Sequence, residues 1–126
     1  MSDKLTRPDL ASPLWQKQES GLEIWDETIG EGDAVKPGAK VKVHYTGWLT
    51  DAKATIFDSS VQRGQSIEFG LGQVIKGWQD GIPGMKPGGV RVLRIPPELA
   101  YGARGAGALI GPNATLVFRV ELISAK

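Results

Sequence analysis

The sequence predicts an α+β domain in which one twisted antiparallel β-sheet of about five strands wraps around one short α-helix. Three observations predict it. The 126 residues include 17 Gly and 8 Pro, roughly a fifth of the chain against about 12% in ordinary proteins. Each Gly inside a helix costs about 1 kcal/mol and each Pro about 3, so a helical bundle is disfavoured. Apolar residues recur in short runs at the strand period of two, separated by turn signals, and only one segment has helical spacing. An apolar share of 40% suffices for a single core. The expected organisation is a flexible extension over residues 1–20 followed by one domain over residues 21–126.

Residues 1–20 are polar, carry Pro8 and Pro13 and show neither periodicity; Trp15 is the one residue there able to pin the segment to the domain. Leu22 and Ile24 flank Glu23 in a first strand that ends at the Gly30–Asp33 cluster, after which Pro37-Gly38 turns the chain. In Lys40–Tyr45, Val41, Val43 and Tyr45 point one way and Lys40, Lys42 and His44 the other, the pattern of a half-buried antiparallel strand. Ser66–Leu71 repeats it through Ile67, Phe69 and Leu71. Ile75, Trp78 and Ile82 share one face of the predicted helix, whose Gly77 and Gly81 make it dependent on packing, with Trp78 as a floor between helix and sheet. Val90–Ile95 forms a further strand stopped by Pro96-Pro97, and Leu116–Ile123 the longest one.

Composition excludes several functions. Fifteen Lys and Arg against fourteen Asp and Glu leave a net charge of +1, too little to hold a nucleic-acid backbone. With no Cys and one His, thiolate chemistry, iron–sulfur clusters and multi-histidine metal sites are impossible, and no cofactor or metal is expected. The longest uncharged stretch, Gly105–Phe118, falls short of the roughly 20 apolar residues of a membrane helix. No P-loop occurs, Gly105-Ala-Gly107 does not open a helix, and His44 lacks a nucleophile elbow nearby. Carboxylates such as Asp51 and Asp58 carry no spacing that marks a hydrolytic pair. Residues 1–20 lack the continuous apolar core of a secretion signal, so a cytoplasmic location is expected, or a periplasmic one if a signal peptide has been removed, with a monomer as the default.

Tyr45, Phe57, Ile67, Trp78, Tyr101 and Phe118 lie on different predicted elements, mostly at strand ends or beside loops, whereas Phe69 by itself reads as a core residue. His44-Tyr-Thr-Gly47, Phe57-Asp-Ser-Ser60, Val74-Ile-Lys-Gly-Trp78, Ala100-Tyr-Gly102 and Ala114-Thr-Leu-Val-Phe118 follow in an order and near a spacing that resembles the FKBP-type peptidyl-prolyl cis-trans isomerases, from about Gly21 to Lys126. The resemblance implies that family's fold and an isomerase acting on X-Pro bonds of peptides and folding proteins, without cofactor or metal. It implies a proline ring seated over Trp78 and walled by Tyr45, Phe57, Ile67, Val74, Ile75 and Phe118. The Ile75 N–H and the Tyr101 hydroxyl would donate to substrate carbonyls, and Asp58 would accept from Tyr45 and pair with Arg63, making Asp58, Tyr101 and Ile75 the catalytic set. Leu109 and Ile110, at the tip of the glycine-rich loop, would meet residues flanking the proline. Proline-containing client segments and the macrolides FK506 and rapamycin are the implied partners. The chain departs from the family pattern at Ile67, where many members carry an aromatic, at Ala106-Gly107 in the loop, and in a longer Asp51–Ile56 turn; these bear on sequence preference and inhibitor affinity. A non-catalytic proline-peptide binding module or chaperone using the same pit is the alternative.

Overall fold

The computed structural model describes residues 4–126. Seven strands form one antiparallel sheet: β1 (Gln16–Lys17), β2 (Glu23–Thr28), β3 (Lys40–Leu49), β4 (Ile56–Ser59), β5 (Ile67–Gly70), β6 (Val90–Ile95) and β7 (Leu116–Ala125). Two short helices, α1 (Ser60–Arg63) and α2 (Lys76–Gly81), complete the domain. The strand order is β1-β2-β6-β7-β3-β4, and β5 also pairs with β3. The fold class is the predicted one, with two strands and a helix more. β1 has only two residues, and Ile56-Phe-Asp-Ser59 carries no apolar alternation, so neither has a periodicity to read.

Strand β3 organises the sheet. One edge pairs with β7 from Val41 to Leu49, while the other serves β5 at Lys40–Val43 and β4 at Thr46–Trp48. The gap falls at His44 and Tyr45, where α1 fills it. Ser60 Oγ accepts from the Tyr45 N–H at 2.7 Å and lies 2.9 Å from His44 Nδ1, so a buried backbone donor between two strands does not go unpaired. Helix α1 is held by a Ser59 cap on the Gln62 N–H and ends at Gly64 with φ +70°.

The main core lies between the concave face of the sheet and α2. Helix α2 rides so low that a Cβ on Gly77 would lie 2.5 Å from Ile95 Cγ2, and one on Gly81 2.8 Å from Leu93 Cδ2. Those two glycines, poor helix formers, are what lets Trp78 and Ile82 sink into the core.

Residues 4–20 differ from the expected flexible extension: they are laced to the outer face of the sheet. Arg7 Nη1 donates to the Leu49 and Asp51 carbonyls (2.8 and 2.7 Å), Arg94 to Leu10 O (2.9 Å) and Arg119 to Thr6 O (2.7 Å). Pro8 is buried, and Trp15 packs edge-on against Trp25 at 5.6 Å with the Arg94 guanidinium over its ring at 4.7 Å. Beneath this arm Trp48, Val92 and Val117 are fully buried although they lie outside the main core. Both faces of β3 are therefore covered past Tyr45, which explains why its alternation stops there while the strand continues to Leu49. Arg94 and Arg119, together with Arg91, also form ion pairs with β2: Arg91–Asp26, Arg94–Glu23 and Arg119–Glu27, each at 2.6 Å.

Deleting residues 1–15 exposes this outer layer. Burial of a large apolar side chain contributes about 1.5–3 kcal/mol, so we expect the midpoint of thermal unfolding to fall by roughly 10 °C, at about 3–5 °C per kcal/mol for a domain of this size. Calorimetry of the deletion variant checks this; an unchanged midpoint would show the arm to be structurally idle.

Candidate active site

A cavity of about 560 Å³ opens where β3, β4, β5, α2 and β7 converge, within the size range of small-ligand sites. Its floor is Trp78, 5% exposed, and its walls form a chain of aromatic contacts. Tyr45 meets Trp78 edge-on at 5.2 Å, Trp78 meets Phe118 at 5.1 Å, and Phe118 meets Phe57 at 5.4 Å. Phe69 leans on Trp78 at 5.3 Å. Ile67, Val74 and Ile75 complete the apolar lining, and Gln73 and Tyr101 sit at the rim. The wall leaves no room at Gly47, where a Cβ would come within 2.6 Å of Phe57 Cζ and 2.8 Å of Phe118 Cε1. The Trp78 Nε1–H is buried with no partner among the described residues; such a group costs about 1–3 kcal/mol, a penalty accepted for a large flat floor.

Apart from the Trp78 Nε1–H, the polar groups of the cavity stand at its edges. Asp58 accepts a short hydrogen bond from the Tyr45 hydroxyl and a 2.5 Å bond from Arg63 Nη1, while Arg63 Nη2 reaches the Tyr45 oxygen at 3.1 Å. Partial burial works against ionisation of Asp58, but the bonds donated by Tyr45 and Arg63 outweigh it and hold the carboxyl below its ordinary 3.8. Burial, reinforced by the bond to Asp58, pushes the Tyr45 phenol above 10.0, so it stays a neutral donor. Ile75 stands at the N-cap of α2 with φ −58° and ψ 152°. Its carbonyl accepts from the Trp78 and Gln79 N–H groups, but its own N–H makes no backbone bond among the described residues. Tyr101 is 41% exposed. Among the described residues no nucleophile with an activating base stands in the cavity, and its largely apolar lining suits binding and orientation of a weakly polar group.

Of the residues expected here, the structure brings Tyr45, Phe57, Asp58, Ile67, Val74, Ile75, Trp78, Tyr101 and Phe118 onto one cavity, and Arg63 backs it through Asp58. Leu109 and Ile110 are not part of the lining. Ala106 and Ile110 bond to each other in both directions (2.8 and 3.2 Å), closing a tight loop that turns Ile110 into the core and leaves Leu109 outside. Phe69, read as core, and Gln73, not singled out, both line the cavity. For Phe69 the signal was present: Ile67 and Phe69 share a strand face. Asp51 is no acid–base partner of Asp58, since its oxygens take the Thr55 N–H and hydroxyl at 2.9 and 2.6 Å.

A family model of FKBP-type peptidyl-prolyl cis-trans isomerases matches residues 31–123. The chain belongs to that family. It is 53% identical over 105 residues to an FK506-binding protein of Neisseria meningitidis serogroup B, covering 82% of this chain and 94% of that one. It is equally identical over 105 residues to a probable FKBP-type isomerase of Haemophilus influenzae, covering 83% of this chain but only 43% of that protein. The crystal structure of FkpA from Escherichia coli superposes with a TM-score of 0.84 at 40% identity, over 92% of this chain and 53% of that chain. The FKBP fold thus accounts for the sheet, α2 and the aromatic cavity together.

Asp58 carries a testable pH dependence. Its folded pKa is depressed, so its stabilising contribution is present above about pH 4, the unfolded value, and is lost as pH falls through the folded value. Between pH 5 and pH 2.5 we expect Asp58→Asn to lose less stability than the unmodified chain in denaturant titrations; equal losses would place the acid sensitivity elsewhere.

Proposed function

We propose that this FKBP-type isomerase accelerates X-Pro rotation by holding the twisted imide in the aromatic cavity. The planar amide is kept by resonance behind a barrier of about 18–20 kcal/mol, and uncatalysed exchange takes tens to hundreds of seconds. Twisting removes the resonance and with it much of the charge separation. A water-excluding apolar pit therefore favours the twisted state over the planar one, which is the differential binding that catalysis requires. The proline ring lies on Trp78, between Tyr45 and Phe118, with Phe57, Ile67, Phe69 and Val74 around it. The Ile75 N–H and the Tyr101 hydroxyl, both without bonds of their own among the described residues, donate to peptide carbonyls and set the peptide's direction. Asp58 holds Tyr45 in place and turns a polar edge to the rotating carbonyl. The observation that carries the reading is a cavity of aromatic faces whose polar groups, the buried Trp78 Nε1–H apart, stand at the rim.

The same cavity would accept macrolides of the FK506 and rapamycin type, and proline-bearing segments of client chains are its natural occupants. We also propose a monomeric, cytoplasmic protein, on the strength of the sequence alone; among the described residues no helix is long and apolar enough to cross a membrane.

The unmodified chain at micromolar concentration should raise the cis-to-trans rate of a Leu-Pro tetrapeptide well above background in a protease-coupled assay. Tyr101→Phe, which removes one hydrogen bond worth about 0.5–1.5 kcal/mol, should lower kcat/KM roughly two- to tenfold with no change in stability. A background rate for the unmodified chain would reduce the cavity to a peptide-binding site.

A further inference from the structure

The peptide unit joining Val74 to Ile75 forms part of the cavity wall, and one side chain outside that wall holds it. Gln79 Nε2 donates to the Val74 carbonyl oxygen at 2.7 Å, folding back over the first turn of α2. Only the amide nitrogen of a Gln side chain can donate, so its orientation is set by this acceptor. The backbone ladder of α2 does not supply the Val74 carbonyl: Trp78 and Gln79 both direct their N–H groups to Ile75 O, at 3.0 and 3.1 Å. Val74 is extended, with φ −120° and ψ 175°, and lies one residue before the first helical acceptor. Without Gln79 its carbonyl would be left to solvent, and the peptide plane would be free to rock.

We propose that Gln79 is a positioning residue for substrate binding, acting through the Val74–Ile75 peptide. The inference rests on the reading that the Ile75 N–H anchors a substrate carbonyl. In a trans peptide the C=O and N–H point in opposite directions, and the described chain contains no cis bond. Holding the Val74 C=O toward Gln79 therefore aims the Ile75 N–H the other way, away from α2's own bonds. A bond accepted by the carbonyl also polarises the amide and strengthens its N–H as a donor, by about 10–30% in condensed-phase estimates. Gln79 itself does not line the cavity. It acts on the substrate only through the backbone, which is why the family motif ending at Trp78 does not reveal it.

Gln79→Met keeps the length of the side chain and removes the donor. Because the Ile75 N–H anchors the peptide in planar and twisted states alike, we expect KM for a Leu-Pro tetrapeptide to rise roughly three- to tenfold with kcat changed less than twofold. The Ile75 amide proton should move upfield in the free variant and shift less on peptide addition. A folded Gln79→Met with unchanged KM and an unchanged Ile75 resonance overturns the clamp. Should the variant not fold, the unmodified chain decides: a scalar coupling across the hydrogen bond from Gln79 Nε2 to the Val74 carbonyl carbon is expected, and its absence overturns the proposal. An unmodified chain that neither catalyses nor shifts its Ile75 amide on peptide addition overturns the anchoring role and the clamp together. One that does both, beside an unaffected variant, overturns the clamp alone.

Discussion

Helix α2 lies with its bare backbone at Gly77 and Gly81 directly on the Ile95 and Leu93 side chains of β6, and the site depends on that contact. Where Gly77 and Gly81 face Ile95 and Leu93, even a methyl group would collide. Arg91 fastens the far end of the helix by donating to the Gly81 and Pro83 carbonyls at 2.8 and 3.1 Å while paired with Asp26. A helix of six residues has almost no stability of its own. Packed this low, it places the Trp78 ring on the floor of the sheet's concavity, within 5.1–5.3 Å of the Tyr45, Phe69 and Phe118 ring centres. Raising the helix by the width of one side chain would lift the floor and loosen every aromatic contact that follows from it.

The second constraint is hydrogen-bond satisfaction along β3. Because β4 and β5 share one edge of this strand, the stretch between them needs a partner, and the Ser60 hydroxyl provides it. The short helix that makes this possible follows Phe57 and Asp58, which stand in the wall, and ends on Arg63, which backs the wall through Asp58. The polar edge of the cavity is thus a consequence of how the sheet solves its pairing problem. Asp58, Tyr45 and Arg63 are then tied into one cluster whose protonation pattern, carboxylate and neutral phenol, does not change through the physiological range.

Most of the sheet was legible because apolar alternation reports directly on a face buried against a core: Val41, Val43 and Tyr45, and the long run from Leu116, lie where that pattern puts them. The cavity was legible through motifs whose residues now meet. What stayed hidden rests on groups without a sequence signature. The arm over residues 4–20 is held by arginine bonds to backbone carbonyls, and any residue has a carbonyl. The inward turn of Ile110 is decided by a backbone bridge to Ala106, so two adjacent aliphatics look alike in sequence and end on opposite sides. Gln79 serves the cavity through a carbonyl of Val74, which again leaves no mark in the residue pattern.

In the proposed mechanism the cavity is a solvent for the twisted imide, with hydrogen bonds that orient the peptide and no proton moved in the rate-limiting rotation. The most direct test is the solvent deuterium isotope effect on kcat/KM for a Leu-Pro tetrapeptide, measured at matched positions on the pH plateau. A ratio near unity is predicted. A ratio of about two or more would mean that a proton is in flight in the transition state, as general acid–base catalysis requires, and would contradict it.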